Sequence, residues 1–293
     1  MVPATMAAQV LVALQQNQFV TYFDVSASAL LCYDYVLTLP DEVDLIWHSR
    51  WNAIKVAFLL SRYAAFWNLG VGIYHQFGRN IPISVCSGLY RANGGLIVSG
   101  IGLSEIIIIY RTYALWGKKK LVGCTMVLLF VVAWAVLGVY LAQFLHSIEF
   151  IPIEIIPPEL QGCFVTKIAD TLYICWTIAL SYETTVMGLT LIKVWQKFRH
   201  TSSPLLYLIF RDSTLSYITL LVSSIANVLV VLLGPPEHTF LLAGTQHALH
   251  VILSSRIVLN IRRTAVSGAV VGRDHEIIEL REIRLDPCAN PLY

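Results

Sequence analysis

The stretch from Leu121 to Leu145 reads LVGCTMVLLFVVAWAVLGVYLAQFL and contains no charged residue. A helix needs about 20 mainly apolar residues to span the ~30 Å hydrocarbon core of a bilayer. This stretch supplies that length, and the lysines 118–120 directly before it indicate where the apolar surroundings end. It therefore predicts a transmembrane helix.

Six further apolar segments of similar length lie on either side of this stretch. The chain as a whole is 57% hydrophobic and only 13% charged, whereas soluble domains carry about 25% charged residues. The sequence therefore predicts an all-α, polytopic membrane protein with a seven-helix bundle over residues 19–260, a tail over 1–18 and a second tail over 261–293. The other predicted transmembrane helices cover residues 19–39, 51–74, 89–110, 168–194, 213–233 and 239–260.

Lysine and arginine residues lie mainly in every second connection between these segments. Three fall on one side of the predicted bundle and fourteen on the other. Because short positively charged loops stay cytoplasmic, the amino-terminal tail is predicted to be extracellular and the carboxyl-terminal tail cytosolic. The three are Arg79, Arg91 and Lys167, and the fourteen are Arg50, Arg111, Lys118, Lys119, Lys120, Lys193, Lys197, Arg199, Arg211, Arg262, Arg263, Arg273, Arg281 and Arg284.

Two of the six cysteines, Cys86 and Cys163, fall on the predicted outer side. Disulfides persist in oxidising compartments, so a bridge between these two residues is predicted to hold the 147–167 loop over the bundle. The alternative is a pair of buried free thiols. We expect the first helix to serve as an uncleaved insertion signal, since residues 1–18 lack the positive charge of a signal peptide.

Ionisable residues inside a membrane are costly and therefore point to function, at about 2.5 to 3.5 kcal/mol for Asp or Arg at a helix centre. Asp34, Arg62 and Glu105 lie in three predicted helices and are interpreted as one buried ionic cluster. It would be either a switch or proton relay, or a packing device that fixes the helix register. The packing interpretation is preferred, since buried charge pairs often serve specificity.

A second polar zone is predicted from Glu183, Asn227, His247 and His250, which would line a cavity. The two histidines lie at i and i+3, a spacing that allows metal ligation together with Glu183. Histidines in apolar helices more often hydrogen-bond a neighbouring helix. The prediction is accordingly a cavity without a metal and without a cofactor.

Basic residues at the predicted cytosolic edge are candidates for contact with a cytosolic signalling partner, and the alternative is that they hold anionic lipid. They are Arg111, Lys118, Lys119, Lys120, Arg199 and Arg211. Residues 273–286 alternate apolar and charged side chains, which fits either an amphipathic helix on the inner leaflet or a disordered tail. The basic residues are not pooled into one face, so nucleic acid is not an expected partner. The familiar catalytic motifs are absent from the sequence, and the protein is not expected to be an enzyme.

Residues 30–63, LLCYDYVLTLPDEVDLIWHSRWNAIKVAFLLSRY, resemble the amino-terminal signature of a large fungal family of multi-pass membrane proteins of unknown function, abundant in mushroom-forming fungi. The segments YRTYALWGKKK (110–120), FRDSTLSY (210–217) and SSRIVLNIRR (254–263) are similar to the recurrent cytosolic-edge features of that family. The usual Arg-Asp-Gly reads Arg211-Asp212-Ser213 here. The resemblance implies the seven-helix architecture and carries no activity.

Three hypotheses follow for function. The leading one is a receptor-like protein, in the plasma membrane rather than an internal one, that senses a small-molecule ligand at the outer half of the bundle and contacts a cytosolic partner. It needs a cavity on one side only. A proton-coupled or small-solute transporter needs a polar path reachable from both sides, and a structural membrane protein needs a dry bundle with its buried charges paired.

Overall fold

The computed structural model describes residues 4–78, 81–150, 163, 165–167, 171–198, 204–234 and 238–285. Its side chains are described from residue 18 to residue 266 within these ranges, apart from 166–167, 197–198 and 204–213. The described chain is almost wholly helical, as the sequence predicts. The helices are α1 (Ala4–Glu42), α2 (Ala53–Phe77), α3 (Ile83–Leu115), α4 (Lys120–Ser147), α5 (Leu172–Phe198), α6 (Pro204–Leu233) and α7 (Ala243–Leu285).

The helices pack as a ring in which α7 closes on α1 and α3 lies inside. Helix α3 contacts α2, α4, α5 and α7. Helix α1 packs chiefly on α7. Its contacts with α2 are made by long polar and aromatic side chains.

Four helical stretches in the described chain are long and apolar enough to cross a membrane, namely α2, α3, α4 and Thr214–Leu233 of α6. Large apolar side chains such as Trp67, Leu121 and Leu233 point outward and are 75–81% exposed. An apolar exterior of this kind marks a membrane-embedded surface.

Helix α1 extends beyond both ends of the predicted segment 19–39. Residues 4–39 contain neither Gly nor Pro, and Ala, Leu and Gln favour the helix, so residues predicted as a tail are helical. Pro40 was predicted to end the helix, but α1 continues through it to Glu42. A π-helical turn, Val43–Trp47, follows.

Helix α7 also differs from its predicted bounds of 239–260. Residues 239–242 form a turn, and the helix then runs from Ala243 to Leu285 without interruption. The segment 273–286 is thus helical in backbone as far as Leu285. Its possible amphipathic face lies outside the residues whose side chains are described.

A short hairpin and a disulfide cover one end of the bundle. Strand β1 (Glu149–Phe150) pairs antiparallel with β2 (Val165–Lys167), a pairing that the sequence analysis did not predict. Cys86 and Cys163 form the predicted disulfide, with their Cα atoms 5.7 Å apart. The Cys163 amide also donates to the His75 carbonyl at 3.2 Å. We call this end the disulfide end.

The opposite end carries the exposed lysines 118–120, and we call it the basic end. Gly117 and Lys118 both have positive φ there and turn the chain from α3 into α4. Lys55 donates to the carbonyls of Trp47 and Ser49 at 2.8 and 2.9 Å and so fixes the α1–α2 connection.

Candidate functional site

The residues of the predicted ionic cluster, Asp34, Arg62 and Glu105, lie in three separate polar groups. All three side chains are buried, but each has different partners. Asp34 on α1 binds Arg256 on α7, with Oδ1 and Nε 2.6 Å apart. The single cluster was wrong because Arg62 pairs with Glu42, whereas Asp34 and Glu105 each take a partner from α7.

Arg62 is held by the end of α1. Its Nε lies 2.7 Å from Oε2 of Glu42, and its guanidinium donates to the Thr38 hydroxyl at 2.5 Å. Oε1 of Glu42 also accepts from Trp47 and Tyr63 at 3.0 and 2.9 Å. Sequence reasoning missed Glu42 because it placed that residue in a loop, although Glu42 lies on the same helical face as Thr38.

Glu105 instead belongs to a fully buried group with Glu183 and His250, which we call the central cluster. These residues come from α3, α5 and α7. Nδ1 of His250 lies 3.5 Å from Glu105 Oε1, and Nε2 lies 3.2 Å from Glu183 Oε1. The imidazole is therefore placed between two carboxylates.

Polar side chains of α6 and α7 support the central cluster. The Ser224 hydroxyl donates to Glu183, and Gln246 donates from its amide nitrogen to Ser224 at 2.5 Å. That nitrogen also lies 3.0 Å from Nε2 of His250. One ligand atom from each member of the central cluster lies within 4.8 Å of the others, so the three could hold a metal ion or share a proton.

A cavity opens nearer the disulfide end, between α1, α2, α3 and α7. We call it the Asp24 cavity. Its volume is about 60 Å³, room for roughly four water molecules. Its polar lining consists of Asp24, Ser28, Asn68, Gln76, Asn93 and His247.

Hydrogen bonds order one wall of the Asp24 cavity. Nδ1 of His247 donates to the side-chain oxygen Oδ1 of Asn68 at 3.2 Å. The side-chain nitrogen Nδ2 of Asn68 donates to Oδ1 of Asn93 at 2.8 Å. His247 therefore belongs to this cavity and not to a site shared with Glu183 and His250. The predicted single polar zone is two zones, because His247 and His250 face different helices.

Asp24 supplies the negative charge of the cavity. It accepts a hydrogen bond from Gln76, and no cationic side chain pairs with it among the described residues. Gly244 lies directly against it, since a Cβ at that position would contact the carboxylate. Sequence reasoning missed Asp24, although it lies inside the predicted segment 19–39 and met the same criterion as Asp34.

The remaining predicted site residues are dispersed. Asn227 is fully buried on α6, one turn beyond Ser224. Arg111 was predicted to face the cytosol, but it is buried, because its side chain packs inward against α6, 6.0 Å from the Tyr217 ring. Lys118, Lys119 and Lys120 are exposed. Arg199 and the side chain of Arg211 lie outside what the structure describes.

The fold and its buried polar groups define a helical protein of membrane type. Residues 22–67 match a family of unknown function (DUF6533). The match spans α1 and α2 and includes both Asp24 and the Glu42–Arg62 pair. No match was found among curated proteins.

Proposed function

We propose that the chain crosses the bilayer seven times, with an extracellular amino terminus, and acts in the plasma membrane as a receptor for a small cationic ligand. The observation that carries this proposal is the Asp24 cavity with its unpaired carboxylate. The basic end, including Lys118–Lys120, would contact a cytosolic partner.

The position of the cavity supports a receptor. Gln76 lies in the last turn of α2, at the disulfide end, and binds Asp24 near the middle of α1. Asp24 and Glu42 are separated by about 27 Å along α1 at 1.5 Å per residue. The distribution of basic residues favours placing the disulfide end outside, where an oxidising compartment maintains a disulfide.

The bundle is closed below the cavity, as a receptor requires. Ile46, Phe58, Ile107 and Val258 form a buried apolar layer toward the basic end. The Arg62–Glu42 pair joins α1 to α2, and the Arg256–Asp34 pair joins α1 to α7 about 12 Å farther from the basic end, at 1.5 Å per residue. This layer separates the Asp24 cavity from the cytosolic side.

The lining indicates the chemistry of the ligand. A buried carboxylate is costly without a positive partner, and the neighbouring amides supply further acceptors. The volume of about 60 Å³ fits an ammonium or methylammonium group. The ligand is therefore a small amine, or a larger molecule that inserts an amine.

Cysteine accessibility tests the one-sided cavity. In a chain that retains only Cys86 and Cys163, Ser28→Cys places a thiol in the cavity wall. We expect an impermeant maleimide to label it in intact cells. Ser61→Cys is the matched position below the cavity, where Ser61 is buried and lies 3.0 Å from the Ser104 hydroxyl, and we expect no labelling there from either side.

A proton-coupled carrier is the second candidate, and the central cluster favours it. An imidazole between two carboxylates at mid-bundle is the kind of group that carries protons in transporters. In that case Ser61→Cys would be labelled from the cytosolic side in inside-out vesicles. A structural protein would leave Ser28→Cys unlabelled as well.

Methylammonium tests the ligand class. We expect methylammonium chloride to raise the Tm of the purified chain above its value in sodium chloride of equal ionic strength, because binding to the folded state stabilises it. Asp24→Asn should abolish the shift, whereas Asp44→Asn at the exposed basic end should retain it. An equal Tm shift in the wild type, Asp24→Asn and Asp44→Asn would contradict the proposal that Asp24 binds the amine.

A further inference from the structure

The central cluster lacks one positive charge. Glu105 and Glu183 bring two carboxylates into the bundle, and both are buried. The single imidazole of His250 supplies at most one positive charge. Because buried carboxylates without full compensation are strongly destabilising, the cluster needs either a shared proton or a further cation.

Several buried polar atoms at this position also lack a hydrogen bond. Oε2 of Glu105 makes none within the described chain, and the contact of His250 Nδ1 with Glu105 Oε1 is long, at 3.5 Å. Both amide atoms of Asn227 likewise make no hydrogen bond within the described chain, and this residue is fully buried. It lies three residues beyond Ser224, on the α6 face that contacts Glu183. Natural proteins rarely leave so many buried polar atoms unsatisfied.

We propose that Glu105, Glu183 and His250 bind a divalent transition-metal ion of the Zn²⁺ class. Their ligand atoms lie within 4.8 Å of one another. Two carboxylates, a neutral imidazole and Zn²⁺ have a net charge of zero. Oxygen and nitrogen ligands from Glu and His are those that zinc accepts.

Other ions fit this group less well. Sodium would leave a net charge of minus one beside a neutral imidazole. Calcium and magnesium prefer shells built of oxygen ligands, whereas an imidazole ligand suits zinc and its neighbours.

The site joins three helices, which gives the ion a structural consequence. Helices α3, α5 and α7 each contribute one ligand. An ion that binds the folded chain stabilises it by mass action, so Zn²⁺ would hold these helices together. The proposal does not depend on the ligand assigned to the Asp24 cavity.

Zinc binding to the full chain in detergent is the test, with Zn²⁺ itself as the probe. After removal of metal by a chelator, we expect one tightly bound Zn²⁺ per chain by mass spectrometry of the metal. Glu105→Gln and Glu183→Gln should each weaken binding by at least about tenfold in competition with a fluorescent chelator. His75→Gln, which changes a buried histidine elsewhere, should bind zinc as the wild type does.

Two further measurements keep the test decisive if a variant misfolds. Zn²⁺, but not Mg²⁺, should raise the Tm of the wild-type chain. X-ray absorption should show oxygen and nitrogen ligands including one imidazole. A wild-type chain that binds no Zn²⁺, or a Glu105→Gln/Glu183→Gln double variant that binds it equally well, would overturn the proposal.

Discussion

Arg62 shows how a buried charge becomes part of the packing. Its guanidinium pairs with Glu42, donates to Thr38 and lies 4.8 Å from the Tyr35 ring. Replacing Arg62 by Leu leaves the Glu42 carboxylate buried beside a side chain that cannot pair with it. We expect a loss of about 3 kcal/mol or more in the free energy of unfolding, measured by titration with dodecyl sulfate.

A double variant separates charge from packing in this pair. Glu42→Leu/Arg62→Leu removes both charges, so it should be more stable than Arg62→Leu alone. A double variant that is the less stable of the two would show that the ion pair itself contributes little. Both positions lie within the segment that matches the family, so the two variants test an ion pair of that segment.

Gly100 determines how closely His247 approaches α3. A Cβ at this position would clash with Nε2 of the imidazole. Gly100→Ala should therefore displace His247 from Asn68 and cost about 1 to 3 kcal/mol through overpacking. Its control is Gly95→Ala, where no atom lies within 4 Å of the added carbon.

Thermal unfolding of the two glycine variants provides the comparison. Alanine is the better helix former, so Gly95→Ala should leave the Tm unchanged or raise it, while Gly100→Ala lowers it. Equal Tm values for the two variants would mean that the imidazole moves aside without cost.

Residue type and position predicted which side chains are buried, but not their partners. Asp34, Arg62 and Glu105 are all buried, as their position in apolar segments implies. Their partners Arg256, Glu42 and His250 depend on which helices pack together, and helical spacing within one segment does not specify this. His250 and Glu183 were both predicted to belong to the second polar zone. Glu105 was assigned to the ionic cluster instead, because the sequence does not specify that α3 packs against α5 and α7.

At the scale of helices, the apolar runs predicted the existence of each element better than its ends. The run at 121–145 lies within α4, since nothing in it interrupts a helix. Around Pro40 the prediction failed because proline breaks helices in isolation, whereas here Glu42 is bound to Arg62 and holds the last turn in place. The β1–β2 hairpin was not predicted because strands of two and three residues carry little periodicity.

The Cys86–Cys163 bridge links the start of α3 to the chain just before α5 across 77 residues of sequence. Closing a loop of this length lowers the entropy of the unfolded chain, equivalent to up to about 4 kcal/mol. Cys86→Ser/Cys163→Ser should therefore lower the Tm, and dithiothreitol should lower the Tm of the wild type but not that of this double variant. Cys175→Ser, which changes a buried free cysteine, should keep the wild-type response to the reductant.

At the scale of the whole molecule, the bundle separates its polar groups by depth. The Asp24 cavity lies toward the disulfide end, the central cluster lies inside, and ion pairs close the basic end. The same basic residues that predict the orientation therefore also predict which zone a soluble ligand reaches. The asymmetry has a functional meaning only if the disulfide end faces outward.

Inserted glycosylation sites test that orientation directly, since the chain contains no Asn-x-Ser/Thr sequon of its own. A sequon inserted between residues 151 and 162 should acquire a glycan, because the lumenal transferase modifies only translocated loops. The matched insertion after Gly117, beside Lys118–Lys120, should remain unmodified. A glycan on the insertion after Gly117, and none on the insertion between residues 151 and 162, would show that the bundle has the opposite orientation in the membrane. The Asp24 cavity would then face the cytosol, where no extracellular ligand could reach it.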